Sequence, residues 1–102
     1  MVTDSSYFSH YRGYFYRVIF GDLKLDTVSP YNQERSFTIF QHPNYNDATA
    51  DHDIAILRLT TKVNVTGYVR PACLATSETE VTTYSTCYVA GWGATSEGGK
   101  VV

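Results

Sequence analysis

Apolar and polar positions alternate with a period of two at several places along the chain, and no stretch carries the 3.6-residue period of an amphipathic helix. Tyr16, Val18 and Phe20 alternate with Arg17 and Ile19, and Gly21-Asp22 stops the pattern, which predicts a strand over Arg17 to Phe20. Ser36 to Gln41, with Phe37, Ile39 and Phe40, reads as a second strand that Pro43 ends. Asp53 to Leu59 reads as a third and Thr86 to Trp92 as a fourth. Met1 to Tyr16, dense in Ser and Tyr, reads as a surface loop leading into structure. Asp26 to Glu34 and Asn44 to Ala50 carry the Pro, Asn and Asp of loops and turns, and Ser77 to Ser85 is linker-like. A strand-loop-strand rhythm of this kind predicts an all-β fold.

The third strand carries the first chemical question. Successive side chains in a strand point to opposite faces, so Ile54 and Ile56 share one face while Asp53, Ala55, Leu57 and Leu59 share the other. Asp53 therefore leads a strand that is apolar on both sides, and its carboxylate is expected to be buried. A bare carboxylate there costs several kcal/mol unless a hydrogen bond or an opposite charge compensates it, which implies a partner group. Neighbouring Asp51 and His52 read as exposed turn residues.

At these residues the chain resembles the chymotrypsin/trypsin family of serine endopeptidases, in which an Asp-Ile-Ala-Leu-Leu pattern carries the acidic member of the Ser-His-Asp triad. Asp53 matches that position. Four further landmarks fall in family order: Tyr16 to Asp22 (YRVIFGD), His42 to Asn46 (HPNYN), Val69 to Leu74 (VRPACL) and Cys87 to Gly93 (CYVAGWG). The resemblance implies a partial trypsin-like double β-barrel. Residues 1–70 would form most of the first barrel, 71–85 the connection between barrels, and 86–102 the start of the second, with Thr86 to Trp92 as its first strand. The family's catalytic domain is more than twice as long, so the N- and C-terminal parts of that domain would lie outside these residues.

Composition narrows the partners. With 102 residues and 43% hydrophobic content the chain could form one small domain, although at this size folding buries only about 60–70% of the unfolded surface. A net charge of −2, a pI near 5.8 and scattered Lys and Arg provide no basic stripe for nucleic acid. No run approaches the roughly 20 apolar residues of a membrane span, so no membrane partner is expected. The N-terminus lacks the basic start and apolar core of a signal peptide. For a family that the resemblance places outside the cell, this suggests that an N-terminal part is missing. Asn64-Val65-Thr66 forms an N-glycosylation sequon, meaningful only on the secretory route; otherwise it is an ordinary loop.

The remaining family positions are partly unmatched. Nothing reproduces the family's Ala-Ala-His-Cys motif of the general base. His10 has a suggestive spacing to Gly21 and Asp53, but its context, Phe8-Ser9-His10-Tyr11, lacks the Cys. The preferred alignment sets Val2-Thr3-Asp4 just after a missing His-Cys pair, which makes His10 a loop histidine out of reach of Asp53. His42 is then a conformational partner of Pro43. The Gly-Asp-Ser-Gly-Gly nucleophile signature is absent. Ser96-Glu97-Gly98-Gly99 only looks like it, and reads as a turn.

In trypsin-like members the loop between Gly21-Asp22 and Glu34 can bind calcium. Asp stands here where Glu is usual and the second carboxylate is displaced, which favours a solvated acidic loop. Neither a Cys-x-x-Cys nor a paired His spacing is present, so no metal or cofactor is expected. The resemblance pairs the Cys73 and Cys87 positions with partners elsewhere, a propeptide cysteine and a cysteine late in the second barrel. Both partners would lie outside this chain, and no bridge between the two is expected.

The sequence thus reads as an internal part of a secreted serine endopeptidase that acts on polypeptides by acyl transfer, catalytically incompetent alone because two members of a triad that acts as a unit are missing. The alternative is a non-catalytic serine-protease homologue serving as a protein-binding module. A third reading, an autonomous small β-domain, would need stability from an incomplete barrel, whereas barrels remove their edges only by closing.

Overall fold

The computed structural model describes residues 1–3 and 16–100. One antiparallel sheet organises them, built from β1 (Val2–Thr3), β2 (Arg17–Phe20), β3 (Gln33–Gln41) and β4 (Ala55–Leu59) in the spatial order β1-β4-β3-β2. The described residues contain no helix, in keeping with the all-β expectation.

Alternation decides which side of the sheet becomes the core. Val18 and Phe20 of β2, Phe37 and Ile39 of β3, and Ala55, Leu57 and Leu59 of β4 all face one side. The register sets Phe37 opposite Leu59 and Ile39 opposite Leu57 on that face. Ala55 (1% exposed) and Leu57 (4%) are the only fully buried apolar side chains among the described residues. Removing the Leu57 side chain from water contributes about 1.5–3 kcal/mol. The opposite face stays wet: Ile56, paired with Phe40, is 53% exposed, and Phe40 itself 52%. The third strand is apolar on both faces, as its pattern says, but only one of them is covered.

Four expectations need correction. Val2–Thr3, assigned to a leading loop, pairs as β1 with Ile56 and Ala55. Two residues carry no periodicity, and their extended state comes from the ladder on β4. The second predicted strand begins three residues earlier, at Gln33. Its polar start is recruited by pairing with β2 and by side-chain bonds to the segment after β4. Gln33 donates from Nε2 to the Asn64 carbonyl (2.9 Å) and accepts the Asn64 N–H on Oε1 (2.9 Å), so one amide mimics a rung of a ladder. Arg35 Nε donates to the Lys62 carbonyl (3.0 Å). The third strand begins at Ala55, leaving Asp53 and Ile54 as its approach.

Thr86 to Trp92 forms no strand and is exposed throughout, Val89 fully so. An apolar run becomes a strand only with a neighbour to receive its N–H and C=O groups, and none lies beside it among the described residues. This part of the chain is tied back by Trp92, whose Nε1 donates to the Leu23 carbonyl (2.8 Å).

Beneath the inner face lies an apolar trough of ≈ 630 Å³, lined by Met1, Phe20, Leu59, Val63, Val69 and Leu74 among others. Cys73 and Cys87, on the extended chain beyond it, are exposed free thiols.

Two expectations follow. Leu57→Ala should lower stability to urea by about 2–5 kcal/mol, whereas Ile56→Ala, one residue along but on the wet face, should cost under about 1 kcal/mol; equal losses would show that the two faces are not distinguished as described. Thiol titration of denatured chain purified without reductant should find Cys73 and Cys87 free or capped by small thiols, and a Cys73–Cys87 bridge located by peptide mapping would contradict the separation of these two positions.

Candidate functional site

Asp53 stands at the approach to β4, and local backbone chemistry sets its position. The Ile54 N–H donates to the His52 carbonyl (2.8 Å), closing a three-residue turn centred on Asp53. Asp53 is not among the positive-φ residues, so the turn is of the inverse γ type common where strands begin. On the other side, the Ile54 carbonyl accepts the His42 N–H (3.0 Å), which fastens the approach to the end of β3. The Asp53 side chain is half-buried. Full burial, expected from the apolar strand that follows, is not reached, because Asp53 precedes the ladder instead of lying within it.

The loop leading to Asp53 is strained. Ala50 and His52 both adopt φ of 54°, the left-handed region that side chains with a Cβ avoid. Each such residue costs on the order of 1–3 kcal/mol and persists only where its surroundings over-determine it. Here Asn46 supplies the constraint. Its side-chain Oδ1 accepts the N–H groups of Ala48 (3.0 Å) and Thr49 (3.4 Å), while its own N–H donates to the Asp51 carbonyl (3.1 Å). The turn-rich loop read from the sequence is thus a tightly bonded one.

The histidines are separated in role. His42 is half-buried, and its Nδ1 accepts the Asn44 N–H (3.0 Å) across Pro43. An accepting Nδ1 places the ring proton on Nε2. His42 therefore braces the turn at Pro43, the conformational part expected of it. His52 is exposed, with Nδ1 3.4 Å from Asp51 Oδ2, and Asp51 Oδ1 accepts the His52 N–H (3.0 Å). Both are exposed turn residues, as read. A stack of the His42 and His52 rings, centroids 4.5 Å apart, joins the two turns. Neither residue signalled this in the sequence, since it depends on bringing the ends of β3 and β4 together. His10 lies outside the described residues.

Ser96 stands in a tight turn. The Gly99 N–H donates to its carbonyl (2.9 Å), and Gly98, at φ 72°, takes the position of a type II turn that needs positive φ. A Cβ on Gly99 would lie 2.9 Å from the Ser96 carbonyl oxygen, a backbone atom held in the turn, so glycine is favoured there as well. The tetrad behaves as a structural punctuation mark.

The acidic loop after β2 is organised by its own carboxylate. Asp22 Oδ1 accepts the Ser29 N–H (2.7 Å) and Oδ2 accepts from Asn32 Nδ2 (3.2 Å), while Glu34 pairs with Arg17 Nε (3.3 Å) on the wet face of the sheet. The two carboxylates that could have shared a cation are thus each engaged with protein groups. Among the described residues no three His, Cys, Asp or Glu side chains gather as a metal site.

Comparison with known proteins adds to this geometry. The sequence profile of the family described as Trypsin matches residues 8–102. The atrial natriuretic peptide-converting enzyme of Mus musculus is 40% identical over 79 residues, covering 76% of this chain and 7% of that protein. The suppressor of tumorigenicity 14 protein homolog of Bos taurus is 40% identical over 73 residues, 71% of this chain and 8% of that protein. Phenoloxidase-activating factor 1 of Holotrichia diomphalia is 45% identical over 60 residues, 57% of this chain and 16% of that protein. The chain therefore spans only a small fraction of the length of these relatives. With a family match across almost its whole length, on an all-β sheet whose strand β4 is entered through Asp53 and Ile54, this chain belongs to the trypsin family.

Proposed function

We propose that these residues belong to a serine endopeptidase and supply the acidic member of its triad, with Asp53 as that carboxylate and polypeptide as the substrate. The observation that carries the reading is the placement of Asp53. It stands at the mouth of the central strand, half-buried, in a turn braced on both sides and preceded by two strained residues. Backbone strain of this kind clusters at functional sites, and its cost is offset here by bonds that have no other evident purpose than to hold this loop.

In the family's mechanism the aspartate holds the imidazole in the right tautomer and stabilises the imidazolium formed as the serine gives up its proton; it does not itself become protonated. A rigid, partly desolvated carboxylate suits that task, because its charge is screened less than one in bulk water. The general base and the nucleophile must come from outside these 102 residues, since neither family motif occurs in the sequence. By itself the chain therefore performs no acyl transfer. A family that cleaves polypeptides outside the cell implies an extracellular working place.

The test replaces Asp53 in two settings. In a chain completed with the missing His and Ser segments, Asp53→Asn should keep the fold and lower kcat by about 10⁴, the loss established for this substitution in this family. In the 102-residue chain, hydrolysis of amide and ester substrates should equal buffer before and after the change. A completed chain indifferent to the substitution would remove Asp53 from catalysis, and hydrolysis by the short chain that Asp53→Asn abolishes would reveal a complete site within it.

A further inference from the structure

The segment that follows β4 carries the one Asn-x-Ser/Thr triplet in the sequence, Asn64-Val65-Thr66. A triplet of this kind is useful to a transferase only if its asparagine amide is presented outward on an irregular, accessible stretch. All three residues are exposed and none lies in a strand. The backbone of Asn64 is held on both sides by a single amide: its N–H donates to Gln33 Oε1 and its carbonyl accepts from Gln33 Nε2, each at 2.9 Å. Both main-chain groups of Asn64 are thus satisfied by the sheet, and its side chain makes neither bond. Thr66 Oγ1 accepts the Tyr68 N–H (3.1 Å), which leaves its own hydroxyl proton to donate outward.

Space is available beside the acceptor. Asn64, Thr66, Tyr31 and Tyr68 line a shallow hollow of ≈ 360 Å³. Its floor is shaped by the Tyr31 and Tyr68 rings, stacked at 4.5 Å and within 7° of parallel. Tyr31 and Tyr68 remain 57% and 60% exposed, and Asn64 itself is exposed, so the hollow is open to solvent. Tyr68 follows the triplet closely and is pinned to it by the Thr66 bond, which keeps the hollow adjacent to the amide.

The geometry points to Asn64 as an acceptor of an N-linked glycan, a modification that rests on the extracellular working place proposed above. In the transfer, Nδ2 attacks C1 of the first sugar of a lipid-pyrophosphate-linked oligosaccharide. The N–C1 bond forms as the C1–O bond to pyrophosphate breaks, the electron pair leaves with the lipid pyrophosphate, and one Nδ2 proton passes to a base of the transferase. The donor is the co-reactant that the secretory compartment supplies.

The experiment translates the whole chain behind a cleavable secretory leader in the presence of endoplasmic-reticulum microsomes. Loss of the leader reports import independently of glycosylation and of any peptidase activity. Failure at Asn64 is thereby distinguishable from failure of the triad assignment, which is read by hydrolysis. The expected result is a slower-migrating product that peptide N-glycosidase returns to the unmodified position. Asn64→Gln should abolish it while keeping the Gln33 bonds, which go to main chain. Thr66→Ala should abolish it and Thr66→Ser should retain it. An imported, leader-cleaved chain whose peptide containing Asn64 is found unmodified would overturn the proposal, as would a shift that survives Asn64→Gln.

Discussion

The described structure depends on the two-sided pairing of β4. Its five residues form the register with β3 from Phe37–Leu59 to Gln41–Ala55, and its other edge is taken by the first residues of the chain. Leu57 carries both functions. Its N–H donates to the Met1 carbonyl (2.7 Å), its carbonyl accepts from the Met1 amino group (3.1 Å), and its side chain is buried. From Ala55 to Leu57 the strand is paired on both edges, which leaves few backbone groups there to solvate and makes this stretch the least negotiable in the sheet. Asp53, proposed above as the triad carboxylate, is fastened to one end of it.

That end is the loop from His42 to Ile54. The end of β3 and the start of β4 are connected by a chain that must reverse direction and deliver Asp53 at a defined angle. The loop does so with two left-handed non-glycine residues, held by a set of bonds around Asn46. In its proposed role as the triad carboxylate, Asp53 has to orient a neighbour, and a loop that moved would forfeit that. Rigidity bought with local strain is the trade such sites make.

The wet face of the sheet and the exposed tail after Leu74 are the counterpart. Ile56 and Phe40 sit half in water, and apolar residues from Leu74 to Val89 are more exposed still. A hydrophobic cluster this small contributes little against the entropy of ordering the chain, and the chain spans only 7% and 8% of the length of two relatives it matches.

The sequence alone determined the all-β class, the strands at Arg17–Phe20 and Ala55–Leu59 to within two residues, the turns at Pro43 and Ser96, and the family. It could do so because alternation, Pro and Gly act through the nearest neighbours, and because the Asp-Ile-Ala pattern is itself local. Tertiary structure decided the rest. Whether Val2–Thr3 is a strand, and whether Thr86–Trp92 is not, depends on a neighbouring strand being there to complete the ladder. Which face of β4 is buried depends on what lies opposite it. The clamp of Gln33 on Asn64, the stack of His42 on His52, and the half-burial of Asp53 all join residues that sequence spacing cannot relate, since a side chain's surroundings are set by the elements packed around it and not by its own order in the chain.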